Sequence, residues 1–324
     1  LTAYSNDLVY GKNKLERIVA IEPLDSTAEI FTEDSEGNVS SQFVSNRYWI
    51  LTDKQGRGCK KLKGEQHFTW GKQFDSKEDW QKQKSYLKYK LAGKVEAFTI
   101  NNPAEALMVK DGFSYFKNMK HQEISVLSFD LETTTLTPTA EGAKILLISN
   151  TFRKNNVITR KLFSYDEHES QGAMLQAWCT WVCEMNPSVM LGHNIMSFDL
   201  PYIVGMAQHE GVQLFLGRDG SALHVNEWTT DFRKEAGQFI HYKGCHAYGR
   251  NIIDTLFLAI RYDVATRKYE SYALKRIIAQ EGLEKEGRTF YDANLIRVNY
   301  KDAIEWEKIK AYCNDDSDDA LMLF

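Results

Sequence analysis

No run of this sequence approaches eighteen consecutive apolar residues, which excludes a membrane-spanning helix of ordinary length. The opening, LTAYSNDLVYGKNKLERIVA, lacks the basic-then-apolar layout of a secretory leader. Cysteine is sparse: Cys59, Cys179, Cys183, Cys245 and Cys313 make an odd number, with no C-x-x-C among them. That argues against a disulfide framework or a zinc knuckle and suits a reducing cytoplasm. Cys179 and Cys183 lie four apart on an apolar helix and are expected in the core. Cys245-His246, with His241 nearby, lacks paired ligand spacing and is not read as a zinc site. Repeats and low-complexity blocks are absent. Basic charge is not in excess either, since the formal net charge is −4. A module that only grips nucleic acid by its phosphates should be basic. A nuclease can be acidic, because divalent cations carry positive charge to the phosphate.

The 324 residues, 43% hydrophobic and 12% aromatic, suffice for two compact domains. The first third predicts strands at LERIVAIEPL, AEIFTED, NVSSQFVS and RYWILTDK. KQGRGCKKLKG is expected as an exposed basic loop, either a hairpin turn or a phosphate contact, and SKEDWQKQKSYLKYKLAGK as a Lys-rich solvated helix. Trp49 and Trp70, with these lysines, permit single-strand reading by this region, though core packing explains them equally. A polar segment at Gly112–Gln122 sets the expected boundary between a strand-rich α+β domain, 1–120, and an α/β domain, 121–324. Beyond it the pattern alternates. Strands are expected at EISVLSFDLE, AKILLISNTF, NVITRKLFSY and SVMLGHN, and as a pair within IHYKGCHAYGRNIID. Helices are expected at QGAMLQAWCTWVCEM, FDLPYIVGMAQHEG, TLFLAIRYD, SYALKRIIAQEG and DAIEWEKIKAYCNDDSDDALMLF.

Three elements carry chemistry. Asp130 and Glu132 in FDLETT are two apart on a strand, so they share a face while Phe129 and Leu131 point the other way. Two adjacent carboxylates are costly unless a cation neutralises them. Asp199, in GHNIMSFDLPY, opens a helix after a short strand. Asn194 and Phe198 at the same turn offer an amide for a base or sugar and a ring for stacking. Tyr312 and Asp316, four apart on the last helix, address the same space. Asp315, Asp318 and Asp319 are expected to continue around to solvent. Together the elements offer the carboxylates that two-metal phosphoryl hydrolysis needs, with a phenol near the attacking water.

The segments SFDLETT, GHNIMSFDLPYI and AYCNDDSDDALML resemble the DEDD exonuclease superfamily in its tyrosine subclass, with Tyr312 four before Asp316. More narrowly, the chain is similar to the N-terminal and proofreading regions of family B DNA polymerases. GRNIIDTLFLAIRYD and SYALKRIIA fit that family's hydrophobic strand ending in Asp and its Ser-Tyr-x-Leu helix start. The resemblance spans about Glu123 to Phe324, and the first 120 residues follow it only in position and texture. It implies an RNase H-like mixed sheet flanked by helices. It further implies two divalent ions, Mg²⁺ or Mn²⁺, with Asp130 bridging both, Glu132 and Asp316 completing the tighter site and Asp199 holding the second. Tyr312 would position the water, and Thr133, Asn194 and Phe198 would contact a single-stranded 3′ end or frayed primer-template.

The family's polymerase signatures are missing: there is no SLYPS-like segment, no K-x-x-x-N-S-x-Y-G and no Y-x-D-T-D. No polymerisation is therefore expected. The end inside an apolar helix suggests a fragment whose polymerase domains act in cis, with replication accessory proteins as further partners and no membrane partner. An RNA-trimming exonuclease of the same superfamily uses the same acids. A non-catalytic binding module should have lost them, yet all four are present.

Overall fold

The computed structural model describes residues 11–235 and 238–324, so the first ten residues of the opening segment lie outside it. The chain divides into two compact units between Lys120 and His121.

In the first unit, β1 (Ile18–Pro23), β2 (Thr27–Glu33) and β3 (Val39–Ser45) form an antiparallel sheet in that order. Next come β4 (Tyr48–Thr52), β5 (Lys60–Lys61), β6 (Trp70–Phe74), α1 (Lys77–Lys90), β7 (Ala97–Phe98) and α2 (Pro103–Asp111). The second sheet runs β5-β6-β4-β7. Ile18, Ile21, Ala28, Ile30 and Leu107 form one core cluster, and Tyr48, Ile50, Phe74, Trp80 and Leu87 another. Trp49 is buried and its indole N–H donates to the Ala106 carbonyl at 2.9 Å, which is a packing role. The basic stretch is largely exposed, with β5 as half of a short hairpin. Helix α2 was not anticipated, although Asn102 caps its first turn, Pro103 opens it and Gly112 closes it at φ +72°.

The second unit contains β8 (Val126–Thr133), β9 (Ile145–Lys154), β10 (Val157–Ser164), α3 (Gln171–Met185), β11 (Val189–Gly192) and α4 (Asp199–His209). It continues with β12 (His224–Glu235), β13 (Gln238–His246), β14 (Asn251–Asp254), α5 (Thr255–Thr266), α6 (Leu274–Glu281), α7 (Ala293–Asn299) and α8 (Ala303–Leu323). The central sheet runs β10-β9-β8-β11-β14. Strands β8, β11 and β14 are parallel and β9 is antiparallel to both its neighbours, the strand pattern of an RNase H-like fold. Phe129 and Leu131 pack with Trp178 of α3 and Leu200 of α4 on one face. Leu147 packs with Trp306, Ile309 and Tyr312 of α8 on the other. Among the described residues no helix is long and apolar enough to cross a membrane.

Two expectations need correction here. The segment IHYKGCHAYGRNIID is not a strand pair: β13 pairs with β12 in a separate hairpin, whereas β14 joins the central sheet beside β11. Strand β12 reads HVNEWTTDFRKE, too polar for apolar alternation to reveal it. Cys179 is buried as expected, but Cys183 is exposed at the turn of α3 that faces the Phe215 carbonyl.

Candidate active site

The alternation of β8 turns Asp130 and Glu132 toward α8, opposite the apolar face formed by Phe129 and Leu131. Helix α8 docks on β9 partly through hydroxyls. Ser149 Oγ donates to the Cys313 carbonyl at 2.7 Å, and Thr151 Oγ1 donates to Asp318 Oδ1 at 2.7 Å. This docking brings Cys313 against Asp130, with Sγ 3.8 Å from Oδ2. One ligand atom each from Asp130, Glu132 and Cys313 lie within 4.8 Å of one another. Tyr312, one residue earlier, is 3% exposed.

The loop between β11 and α4 brings Asp199 to the same end of the sheet. Gly192 has no room for a side chain, because a Cβ there would sit 2.6 Å from the Phe129 carbonyl oxygen. Asn194 takes the left-handed conformation at φ +72°, and its carbonyl accepts from the N–H groups of Ser197 and Phe198, both at 3.1 Å. Asp254, at the end of β14, staples this loop. Its oxygens accept from the N–H groups of Asn194 at 2.8 Å and Met196 at 3.1 Å, and it also caps α5 through Leu256 at 3.0 Å. His193 bridges Thr255 and the Tyr272 carbonyl. The Phe198 ring lies 5.6 Å from that of Tyr202, half-buried against the core. Thr133 Oγ1 is occupied by the Thr135 carbonyl at 2.7 Å.

The acidic run of α8 does not face solvent. Asp315, Asp318 and Asp319 are all buried, contrary to expectation, because cations from remote segments neutralise them. Lys285 pairs with Asp315, and with Asp318 at 3.3 Å. Arg160 of β10 reaches Asp318 at 2.9 Å. Arg288 pairs with Asp319 at 2.7 Å and with Asp316. Lys275 of α6 donates to the Tyr312 hydroxyl and lies 3.5 Å from Asp316 Oδ2. Sequence reading missed Lys275, Lys285, Arg288 and the stapling by Asp254. Basic residues after SYAL gave no signal beyond ordinary surface charge.

The electrostatics of the remaining acids are unbalanced. Desolvation, then Asp316, Asp199 and Glu132, hold the Asp130 carboxyl well above the usual carboxylate range. Desolvation and the Asp316 charge push Glu132 up to about 8. Asp199 is pushed up to about 8 by desolvation, with the Asp254 charge adding to it and backbone N–H groups of Asp199 and Leu131 partly opposing it. Burial also raises the Tyr312 phenol, followed by the charges of Asp316, Glu132 and Asp130, so it keeps its proton. The Cys313 thiol is raised by burial and by Asp130, which makes it a poor ligand. What remains is an oxygen-donor set short of positive charge, which fits a hard divalent cation such as Mg²⁺ or Mn²⁺.

The fold is an RNase H-like mixed sheet with these acids gathered at one end of it. The chain belongs to DNA polymerase family B, whose exonuclease-domain model matches residues 94–277, more than half of its length. It is 30% identical over 192 residues to a DNA polymerase of Pyrococcus glycovorans, covering 56% of this chain and 24% of that protein. It is 28% identical over 182 residues to the DNA polymerase delta catalytic subunit of Drosophila melanogaster, covering 49% of this chain and 16% of that protein. The chain thus spans a quarter or less of these relatives. In fold it matches the family B DNA polymerase of the hyperthermophilic archaeon Pyrobaculum calidifontis with a TM-score of 0.66 at 15% identity, over 94% of this chain and 44% of that one.

Proposed function

We propose that this chain hydrolyses single-stranded or frayed DNA from the 3′ end by a two-metal mechanism, as the proofreading part of a replicative polymerase. The observation that carries this reading is the gathering of Glu132, Asp199 and Asp316 around the buried Asp130, close enough for each charge to raise its carboxyl, while Lys275 and Arg288 pair with Asp316 alone among the four. Asp130, Glu132 and Asp316 would hold one divalent ion, and Asp130 with Asp199 the second. When bound, such a pair supplies Lewis-acid activation of water and stabilisation of the leaving 3′ oxygen. Tyr312, kept as a phenol, donates a hydrogen bond to the reacting water or the scissile phosphate. Asn194 and Phe198 hold the terminal nucleotides, and the Thr133 backbone adds a contact. Residues 1–120 serve as the N-terminal domain of the polymerase, with the polymerase domains in cis and accessory proteins as further partners.

The test is digestion of a 5′-labelled single-stranded DNA with Mg²⁺ or Mn²⁺, beside the Asp130→Ala/Glu132→Ala double variant. The expected result is a ladder shortening from the 3′ end that disappears in the variant and with EDTA. Equal or faster shortening of RNA would favour an RNA-trimming enzyme. A folded chain that shortens neither substrate, yet binds both, would be a binding module.

A further inference from the structure

Lys275 occupies the second position of α6, directly after the Ser-Tyr-Ala-Leu start. Its side chain is one-third exposed, and its ammonium lies 3.9 Å from the Tyr312 ring centroid. It donates to the Tyr312 hydroxyl while standing 3.5 Å from Asp316 Oδ2. A simple ion pair to Asp316 would need only the second contact, and Arg288 already pairs with Asp316. The phenol contact therefore needs its own account. An ammonium carries three donors and no acceptor, so in this contact the phenol oxygen must accept. Its one proton is then left for donating, and in this structure Asp316, with which the phenol also shares a hydrogen bond, accepts it. Since Tyr312 is 3% exposed, its ring has little freedom, and the hydroxyl rotor is what remains to be fixed.

We infer that Lys275 is a positioning residue for Tyr312: by donating to the phenol oxygen it fixes the hydroxyl in place and turns its proton toward the Asp316 side of the site, where the reacting water or phosphate would take it up. The inference rests on the exonuclease reading above. It assigns the residue at position 275 a part in the reaction through Tyr312, distinct from metal holding by the carboxylates. Methionine there keeps the stem and its packing on the ring but supplies no donor. Arginine restores a donor of similar reach.

The experiment uses the full chain with Lys275→Met, Lys275→Arg, Tyr312→Phe and the Lys275→Met/Tyr312→Phe pair, in single-turnover digestion of single-stranded DNA with Mn²⁺. Lys275→Met is expected to slow cleavage roughly 10- to 100-fold, at or below the lower end of what one positioned proton donor contributes, because the phenol itself is kept. Apparent DNA affinity and calorimetric Mn²⁺ affinity stay as in the parent. Lys275→Arg recovers most of the rate, and the pair is no slower than Tyr312→Phe alone, the non-additivity expected of residues acting as a unit. An unchanged rate in Lys275→Met, losses that multiply in the pair, or a rate loss that follows lost Mn²⁺ binding would each overturn the inference. A readout free of catalysis separates this from failure of the exonuclease reading. In protein labelled with fluorotyrosine, the fluorine resonance that vanishes in Tyr312→Phe should shift in Lys275→Met. If the parent chain cleaves nothing, the exonuclease reading fails. The Lys275 contact then stands on that shift, and an unmoved resonance refutes it.

Discussion

At neutral pH and without a metal ion, Glu132 and Asp199 hold protons that the unfolded chain would have released. Both are pushed up to about 8 by desolvation, against about 4 in an unfolded chain. Between those values the folded state binds more protons than the unfolded state, so stability declines as pH rises and the contribution is gone above about 8. The metal-free chain in EDTA should therefore melt several degrees higher at about pH 6 than at about pH 9. The Asp130→Asn/Glu132→Gln variant should flatten the dependence. Saturating Mn²⁺ should flatten it too, since the ion takes the place of the protons, and calorimetry in buffers of different ionisation enthalpy should show proton release on binding at about pH 7. A melting temperature that rises from pH 6 to 9 in EDTA would refute the electrostatic picture. At this scale the sequence was informative where local geometry decides the outcome. Period two on β8 is enough to put Asp130 and Glu132 on one face and Phe129 and Leu131 on the other. The burial of Asp318 and Asp319 depends on Arg160, Lys285 and Arg288, distant along the chain, and no local pattern announces that pairing.

The elements that carry these residues are held by close approach and by buried charge. Gly192 allows β11 to run against β8 where a Cβ would meet the Phe129 carbonyl oxygen at 2.6 Å. Backbone cannot yield there as a flexible side chain would. Gly192→Ala should thus destabilise the chain by about 1–3 kcal/mol, the usual range for overpacking. It should also displace the loop that delivers Asp199, so cleavage falls further than the melting temperature alone explains. Arg288 and Asp319 are 1% and 2% exposed in their side chains. Removing Asp319 takes from Arg288 one of its two carboxylate partners, Asp316 being the other, and Asp319→Ala should cost about 2 kcal/mol by urea denaturation, the range of a lost hydrogen bond to a charged group. A change within 0.5 kcal/mol would mean the run is solvated after all. Long periodic elements such as α3, over Gln171–Met185, were legible because apolar residues recur on one helical face. Strand β12 and the seven-residue α7 were not, since one is polar throughout and the other too short for a periodic signal.

For the molecule as a whole, each unit has its own apolar clusters. We therefore expect residues 121–324 to fold alone and to bind Mn²⁺ as the full chain does, checked by a cooperative melt and by calorimetry. A piece that stays unfolded would show that 1–120 is needed for the second unit to fold. The mixed sheet also sets when the proposed nuclease centre can be assembled. Its acids come from residues 130, 132, 199 and 316, and α8 covers strands made long before it. At ordinary ribosomal speed roughly 10–40 s separate the synthesis of Asp130 from that of Asp316. Throughout that interval a nascent chain carries the strand carboxylates with no helix to close over them, and on the proposed reading a chain released before α8 lacks Asp316 and should not cleave DNA.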